Sequence, residues 1–234
     1  MADKKTAVIE TIQGYVPSTK ALKRALIAGI PWIGGSLDHL IFDKSEELFL
    51  TNLERAVNDI SQRISTLEEQ KIDKGWFESK EALSLFKTLL EKVEYEQDTH
   101  KIRTLSQIYT LFGTSKHVAD PNKFAVLETL AKLTCNQLLV FRAVNNVPVA
   151  EKTATGGAIG YTSKARWQSS ILEYMNSNVE IVEQIQGTIL LDVELDILVS
   201  FNLLANVILP NSDDHGFRVT QLGKLAYCYL KDQE

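Results

Sequence analysis

The chain has 234 residues, a formal net charge of −5, and a composition that is 44% hydrophobic and 24% charged. This length is ample for a buried core in one large or two small domains, and this composition excludes extensive disorder. The mild negative charge gives no general attraction to nucleic acid or anionic lipid. The cysteines, Cys135 and Cys228, both lie in apolar helical sequence, so we predict two buried, reduced thiols in a cytoplasmic protein.

Residues 1–43 are predicted to form an N-terminal apolar elbow. Pro31 cannot donate a backbone hydrogen bond and Gly34–Gly35 permits a tight turn, so two short helices joined by an apolar corner fit the pattern. A basic cluster, residues 20–24, precedes it. Two interpretations stay open for the corner: burial against the rest of the protein, or contact with a partner or a membrane surface through residues 25–42. The contact residues would be Ile30, Trp32 and Ile33.

Residues 44–119 are predicted to form an antiparallel helical hairpin. Ser45 is a plausible N-cap, and a heptad-like apolar seam follows, interrupted at residues 73–75. Ser79 can cap the next helix, and Gly113 is placed to end the last one. The seam consists of Leu53, Val57, Ile60, Ile64 and Leu67, continued by Leu83, Phe86, Leu90, Val93, Ile102, Leu105, Ile108 or Tyr109, and Phe112.

The third section, residues 120–234, begins with Asp120 as a predicted N-cap and Pro121 at the first helical position. One apolar helix is predicted over residues 124–145, then a polar glycine-bearing loop over 152–164. That loop fails the phosphate-loop pattern, because Gly160 is followed by Tyr-Thr-Ser-Lys. A helical stretch near 165–176 and a long apolar stretch over residues 189–209 come next, and the part over 192–209 is treated as a helix.

The closing segment is a polar turn, a short β-type run over Phe217–Thr220, and a final helix. Thr220 can cap that helix and Gly223 permits close packing. The stripe predicted to be buried is Leu222, Leu225, Ala226, Tyr229 and Leu230, with Cys228 on the same side.

This ending resembles the winged-helix superfamily, in which the wing hairpin returns into a strand followed by a "T-x-L-G-K" step, here Thr220–Lys224. The whole layout also resembles poorly characterised bacterial proteins, some linked to mobile elements and abortive-infection loci, in its "IP-x-IGG" elbow (residues 30–35), charged helical hairpin and "T-x-L-G" ending. The first resemblance implies a recognition helix and wing; the second transfers no site residues.

The charge pattern disfavours DNA recognition by such a module. No Lys or Arg occurs between Arg166 and Arg218, and the candidate recognition helix carries Asp192, Glu194 and Asp196. Each of these carboxylates would repel phosphate. A DNA-binding alternative would depend on basic residues elsewhere, namely Lys164, Arg166, Arg218 and Lys224.

No pattern in the sequence indicates catalysis or a metal site. The four histidines show no metal-ligand spacing, and no Glu-x-x-His motif occurs. A pairing of Cys228 with His215 as nucleophile and base conflicts with the predicted burial of that cysteine.

We therefore predict a mainly α protein, a helical hairpin or bundle followed by a winged-helix-like α+β module. Its expected function is that of a non-enzymatic bacterial interaction protein, without cofactor or metal, acting on a protein partner or a second copy. Phage defence or a mobile element is the setting that the resemblance implies. Two alternatives stay open: a winged-helix transcription regulator, and a peripheral membrane or membrane-perturbing protein acting through residues 25–42.

Overall fold

The computed structural model describes residues 47–147, 150–152, 159–161, 164–208 and 215–231. The predicted elbow, with Ile30, Trp32 and Ile33, lies outside these ranges, as does the Ser45 cap. The described elements are α1 (Glu47–Thr66), α2 (Lys74–Phe77), α3 (Lys80–Val93), α4 (Thr99–Phe112), α5 (Lys123–Lys132), α6 (Cys135–Asn146), β1 (Ala150–Lys152), β2 (Ile159–Tyr161), α7 (Lys164–Ser177), α8 (Val179–Gln184), α9 (Leu191–Ser200), β3 (Leu204–Ile208), β4 (His215–Val219) and α10 (Gln221–Lys231). The mainly α class is confirmed.

The chain divides into two compact units. The first comprises Met1–Gln97 and Phe112–Ala119, and the second comprises Asp98–Leu111 and Asp120–Glu234. Helix α4 therefore lies in the second unit except for its last residue. The predicted division into residues 1–43, 44–119 and 120–234 stays a prediction.

In the first unit, α1 packs on α3 as an antiparallel pair. The seam residues Leu53, Val57, Ile60 and Ile64 are buried, as predicted, whereas Leu67 lies beyond the end of α1 and is partly exposed. The amide of the buried Asn52 sets the alignment, because it donates to Val93 O at 2.9 Å and to Glu96 O at 2.8 Å. Val93 is the last residue of α3, where backbone carbonyls lack the donors that a further helical turn would supply, and Glu96 lies just after it.

A short helix, α2, which the sequence pattern did not predict, begins within the interruption at residues 73–75 and continues to Phe77. Asp73 caps it by accepting a hydrogen bond from Trp76 N at 2.9 Å. Trp76 and Phe77 are buried, and their rings lie so close to Gly113 that a Cβ there would overlap both. As predicted, α4 ends before Gly113 and Ser79 caps α3, accepting from Ala82 N at 3.1 Å.

The second unit begins with a correction, because the helix predicted over residues 124–145 is two helices. Leu133 is extended between them, and Thr134 caps α6 in a reciprocal capping box with Gln137. Such a box satisfies the free N–H groups of a new helix start, so the apolar run bends here instead of continuing. The predicted cap at Asp120 is also wrong: α5 begins at Lys123, and Asp120 instead accepts a hydrogen bond from Asn122 N at 2.8 Å.

Two further segments differ from expectation. Strand β1 ends at Lys152, where the predicted loop over 152–164 begins, and it pairs antiparallel with β2, which lies inside that loop. The apolar stretch treated as a helix to residue 209 is the helix α9 only to Ser200 and then the strand β3. Asn202 adopts a left-handed φ of 57° at the turn between them, which stops the helix.

The core of this unit joins the helices to the second hairpin. Trp167 of α7 is 1% exposed and packs on Phe217 of β4, with ring centroids 5.6 Å apart. Apolar side chains of α5, α6, α9 and α10 complete this core, among them Leu127, Phe141, Leu195, Leu198, Ala226 and Leu230.

Candidate functional site

The closing segment is built around a hairpin between α9 and α10. Strands β3 and β4 pair antiparallel, with Leu204 opposite Val219 and Ile208 opposite His215. The predicted β-type run is therefore confirmed as β4, and the predicted final helix as α10. Helix α9 leads directly into β3, so the short connection at residues 201–203 fixes the position of α9 beside the hairpin.

Contacts between the start of α10 and residues 202–203 account for Thr220 and Gly223 of the T-x-L-G sequence. Thr220 Oγ1 accepts from Gly223 N at 2.9 Å and donates to Asn202 O at 2.5 Å, while Thr220 N donates to Leu203 O at 3.0 Å. A Cβ on Gly223 would overlap the Leu203 carbonyl oxygen. The Thr220 cap and the close approach at Gly223 are confirmed.

Exposed apolar side chains concentrate on the helices that precede this hairpin. Among the described residues, seven large hydrophobic side chains are exposed, and five of them fall between residues 172 and 193. The five are Leu172 (41% exposed), Val179 (70%), Val182 (46%), Leu190 (63%) and Val193 (50%). Single exposed apolar residues are ordinary on protein surfaces, whereas a concentration of them is typical of interaction surfaces.

Hydrogen bonds connect α7 to α9 and fix the loop that follows α8. Gln168 of α7 donates to Asp192 of α9 at 2.5 Å. Leu172 lies one turn after Gln168 on the same face of α7, and Val193 follows Asp192 directly. The loop between α8 and α9 is fixed by a two-bond pairing of Gln186 with the Asn136 side chain, at 2.8 and 3.0 Å.

The same elements carry exposed carboxylates. We refer to the five apolar residues, together with Glu173, Glu183, Asp192 and Asp196, as the acidic apolar surface. No Lys or Arg occurs in residues 167–217, so α8 and α9 contain no positive charge to offset them. The surface therefore combines apolar contact area with a negative potential.

The residues predicted for a DNA-binding alternative lie on three elements, and none is on α9. Lys164 and Arg166 belong to the first turn of α7. Arg218 is exposed on β4, opposite Ala205 of β3, and Lys224 is exposed on α10.

One prediction about the cysteines is confirmed and one is wrong. Cys135 is buried, but Cys228 is exposed, because the buried positions of α10 are Gly223, Ala226, Tyr229 and Leu230, and Cys228 falls on the opposite face. In the described part of the chain, no group of three or more His, Cys, Asp or Glu side chains is placed to hold a metal ion.

A carboxylate–phenol contact connects α10 to the start of α5. The hydroxyl of the buried Tyr229 donates to Asp120 Oδ2 at 2.7 Å. Partial burial by itself raises the pKa of Asp120, but the hydrogen bonds from Asn122 and Tyr229 and the charge of Lys123 outweigh it and hold that pKa below its ordinary value. Burial also raises the pKa of Tyr109, which is fully buried in α4.

A polar cavity of about 310 Å³ lies in the second unit and was missed by sequence reasoning. Four of its lining residues are on α4, and the others are Arg142 on α6 and Glu180 and Gln184 on α8. The four are His100, Arg103, Thr104 and Gln107. These residues are spaced by 3, 1 and 3 positions, which places them in a polar stripe along one face of the helix. That stripe is the feature of the sequence that indicates the cavity.

The chain matches no protein-family model, and no curated protein and no solved structure is similar to it at a significant level. Taken singly, no helix in the described ranges combines the length and apolar composition needed to cross a membrane. Helices α5 and α6 meet both criteria only when they are taken together, across a bend of 118°.

Proposed function

We propose that this chain is a non-enzymatic protein-interaction protein whose second unit is a winged-helix-like module used for protein contact. In this proposal α9 corresponds to the recognition helix and β3–β4 to the wing. The observation that carries the proposal is the acidic apolar surface, which displays Leu190 and Val193 on and beside α9 where a DNA-binding module would display Lys or Arg.

The proposed occupant is a basic, amphipathic segment of a partner protein. Its apolar face would cover Leu172, Val179, Val182, Leu190 and Val193, and its Lys or Arg side chains would meet the surrounding carboxylates. An amphipathic segment laid on an apolar surface is a recurrent mode of peptide recognition. Charge complementarity would contribute mainly to the association rate and to selectivity, and apolar burial to affinity.

Peptide selection against the immobilised full chain tests the chemistry of the partner. We expect enrichment of sequences that combine Lys or Arg with apolar residues at helical spacing. A synthetic peptide of that kind should bind the chain in solution, and its affinity should fall as salt is raised. Selection of acidic or uniformly polar peptides would overturn the proposal.

Variants locate the surface. Leu190→Ser together with Val193→Ser removes two half-exposed side chains, worth about 1 kcal/mol each on full burial, so peptide affinity should fall about thirtyfold. The matched control is Phe124→Ser, since Phe124 is 40% exposed in the same unit but lies on α5. Equal loss in both variants would refute the assignment of this surface.

Experiments on variants also distinguish two other ligands, a second copy of this chain and duplex DNA. If Leu190→Ser with Val193→Ser converts a dimer into a monomer in sedimentation, the occupant is a second copy of this chain. If the chain binds duplex DNA at low salt and Arg218→Gln with Lys224→Gln abolishes that binding, the regulator alternative replaces the proposal.

A role in phage defence or a mobile element is an extension of this proposal. It is supported by the resemblance of the elbow and the ending to bacterial proteins of such systems. Consistent genomic neighbours of that kind would support it, and their absence from the locus would remove it.

A further inference from the structure

The polar cavity between α4, α6 and α8 has a lining suited to one class of ligand. Each of its seven lining side chains, including Thr104 and Gln107, can form hydrogen bonds, and none is aliphatic or a six-membered aromatic ring. Its volume, about 310 Å³, is at the small end of the range for ligand sites. The cavity is therefore suited to a small, strongly polar molecule.

The charges in the cavity favour an anion. Arg103 and Arg142 bring two guanidinium groups from different helices, against the single carboxylate of Glu180. Guanidinium groups present a planar fork of donors that matches phosphate and carboxylate oxygens. Arg103 is exposed, and no carboxylate among the described residues pairs with it. This excess of positive charge occurs in a protein with a net charge of −5.

The frame around the cavity is held by a chain of hydrogen bonds. Asp98 Oδ1 caps the start of α4 by accepting from His100 N at 2.8 Å and Lys101 N at 3.1 Å. Its other oxygen accepts from the Gln186 side chain at 2.8 Å, and Gln186 in turn pairs with Asn136 on α6. These bonds connect α4, α6 and the loop after α8 before any ligand arrives, which lowers the ordering cost of binding.

We propose that this cavity is a binding site for a small phosphate-bearing ligand, held by Arg103 and Arg142. Glu180 and Gln184 face the same space from successive turns of α8 and supply acceptors. They would select a phosphomonoester that carries hydroxyl groups over free phosphate, because a hydroxyl can donate to Glu180 whereas the phosphate is repelled by it.

Titration calorimetry on the full chain in a low-salt buffer tests the site with three probes. Inorganic phosphate represents the free ion, ribose 5-phosphate represents a hydroxyl-bearing phosphomonoester, and ribose lacks the charge. We expect saturable binding of ribose 5-phosphate, weaker binding of inorganic phosphate and none of ribose. Binding of ribose equal to that of its phosphate, or no saturable heat with either anion, would overturn the proposal.

Substitutions identify the residues. Arg103→Gln and Arg142→Gln should each weaken ribose 5-phosphate binding at least tenfold, whereas Glu180→Gln should strengthen binding of inorganic phosphate. Lys132→Gln removes one exposed positive charge from α5 in the same unit and is the matched control. A similar loss in that control would show a general charge effect and refute the site. Because Arg103 is exposed, its variant keeps the test valid if Arg142→Gln does not fold.

This inference and the proposed protein contact can fail separately. The variant with Leu190→Ser and Val193→Ser leaves the lining of the cavity unchanged, so it should bind ribose 5-phosphate normally. Conversely, Arg103→Gln should retain peptide binding on the acidic apolar surface.

Discussion

Replacing Asn52 with alanine should destabilise the first unit markedly, although no charge and little volume are lost. Asn52 is 1% exposed. Its side-chain amide donates to Val93 O at 2.9 Å, to Glu96 O at 2.8 Å and to Glu94 O at 3.3 Å. These carbonyls belong to the last turn of α3 and the residues just after it. An alanine there leaves them without this donor.

The magnitude follows from these contacts. Two well-formed hydrogen bonds contribute about 1 kcal/mol each, and the higher helix propensity of alanine offsets about 0.5 kcal/mol. We therefore expect Asn52→Ala to lower the free energy of unfolding by about 1 to 2 kcal/mol.

Urea unfolding followed by far-UV circular dichroism measures this change, with amide hydrogen exchange in α3 as a local probe. The matched control is Asn58→Ala, because Asn58 is exposed on the same helix. Its stability should be unchanged or slightly higher, since alanine favours helix. The reasoning is refuted if the two variants unfold at the same urea concentration, or if exchange at the end of α3 is not accelerated by Asn52→Ala.

Two further predictions concern the second unit. Gly223→Ala should lower the free energy of unfolding by about 2 kcal/mol or more, because the added Cβ would overlap the Leu203 carbonyl oxygen. Lys224→Ala on the exposed face of the same helix should change it little. Thermal unfolding compares the two variants, and equal melting temperatures would contradict the close packing at Gly223. The contact of Tyr229 with Asp120 should contribute stability above the ordinary aspartate pKa of about 3.9 and lose it as pH falls through the lower folded pKa. Tyr229→Phe should therefore reduce the melting temperature most near neutral pH and progressively less in acid, and a deficit that does not change with pH would contradict this.

Much of the local structure could be predicted because it depends on contacts within a few residues. The seam of α1 and the caps at Ser79 and Thr220 are confirmed, since each depends on helical periodicity or on a side chain next to its own backbone. The capping box at Thr134 is an equally local signal, but the apolar run on both sides of it favours one continuous helix.

The candidate sites depended on information that no single segment contains. The helices around Leu190 and Val193 decide whether these side chains are covered. The sequence of an apolar run is the same whether the run is buried or exposed. The misplacement of Cys228 on α10 has the same cause, since one face of a short helix is chosen by its neighbours.

The polar cavity is formed by residues that are far apart in the sequence, so no single local pattern predicts all of its lining. The stripe on α4 that begins at His100 is visible in the sequence, but Arg142 and Glu180 reach it from helices about 40 and 80 positions further along. Sequence alone determined the helical class, the caps at Ser79 and Thr220, and the absence of Lys and Arg between Arg166 and Arg218. Only tertiary structure decided which polar and apolar faces meet, because packing between distant helices sets burial, and burial separates a core residue from a site.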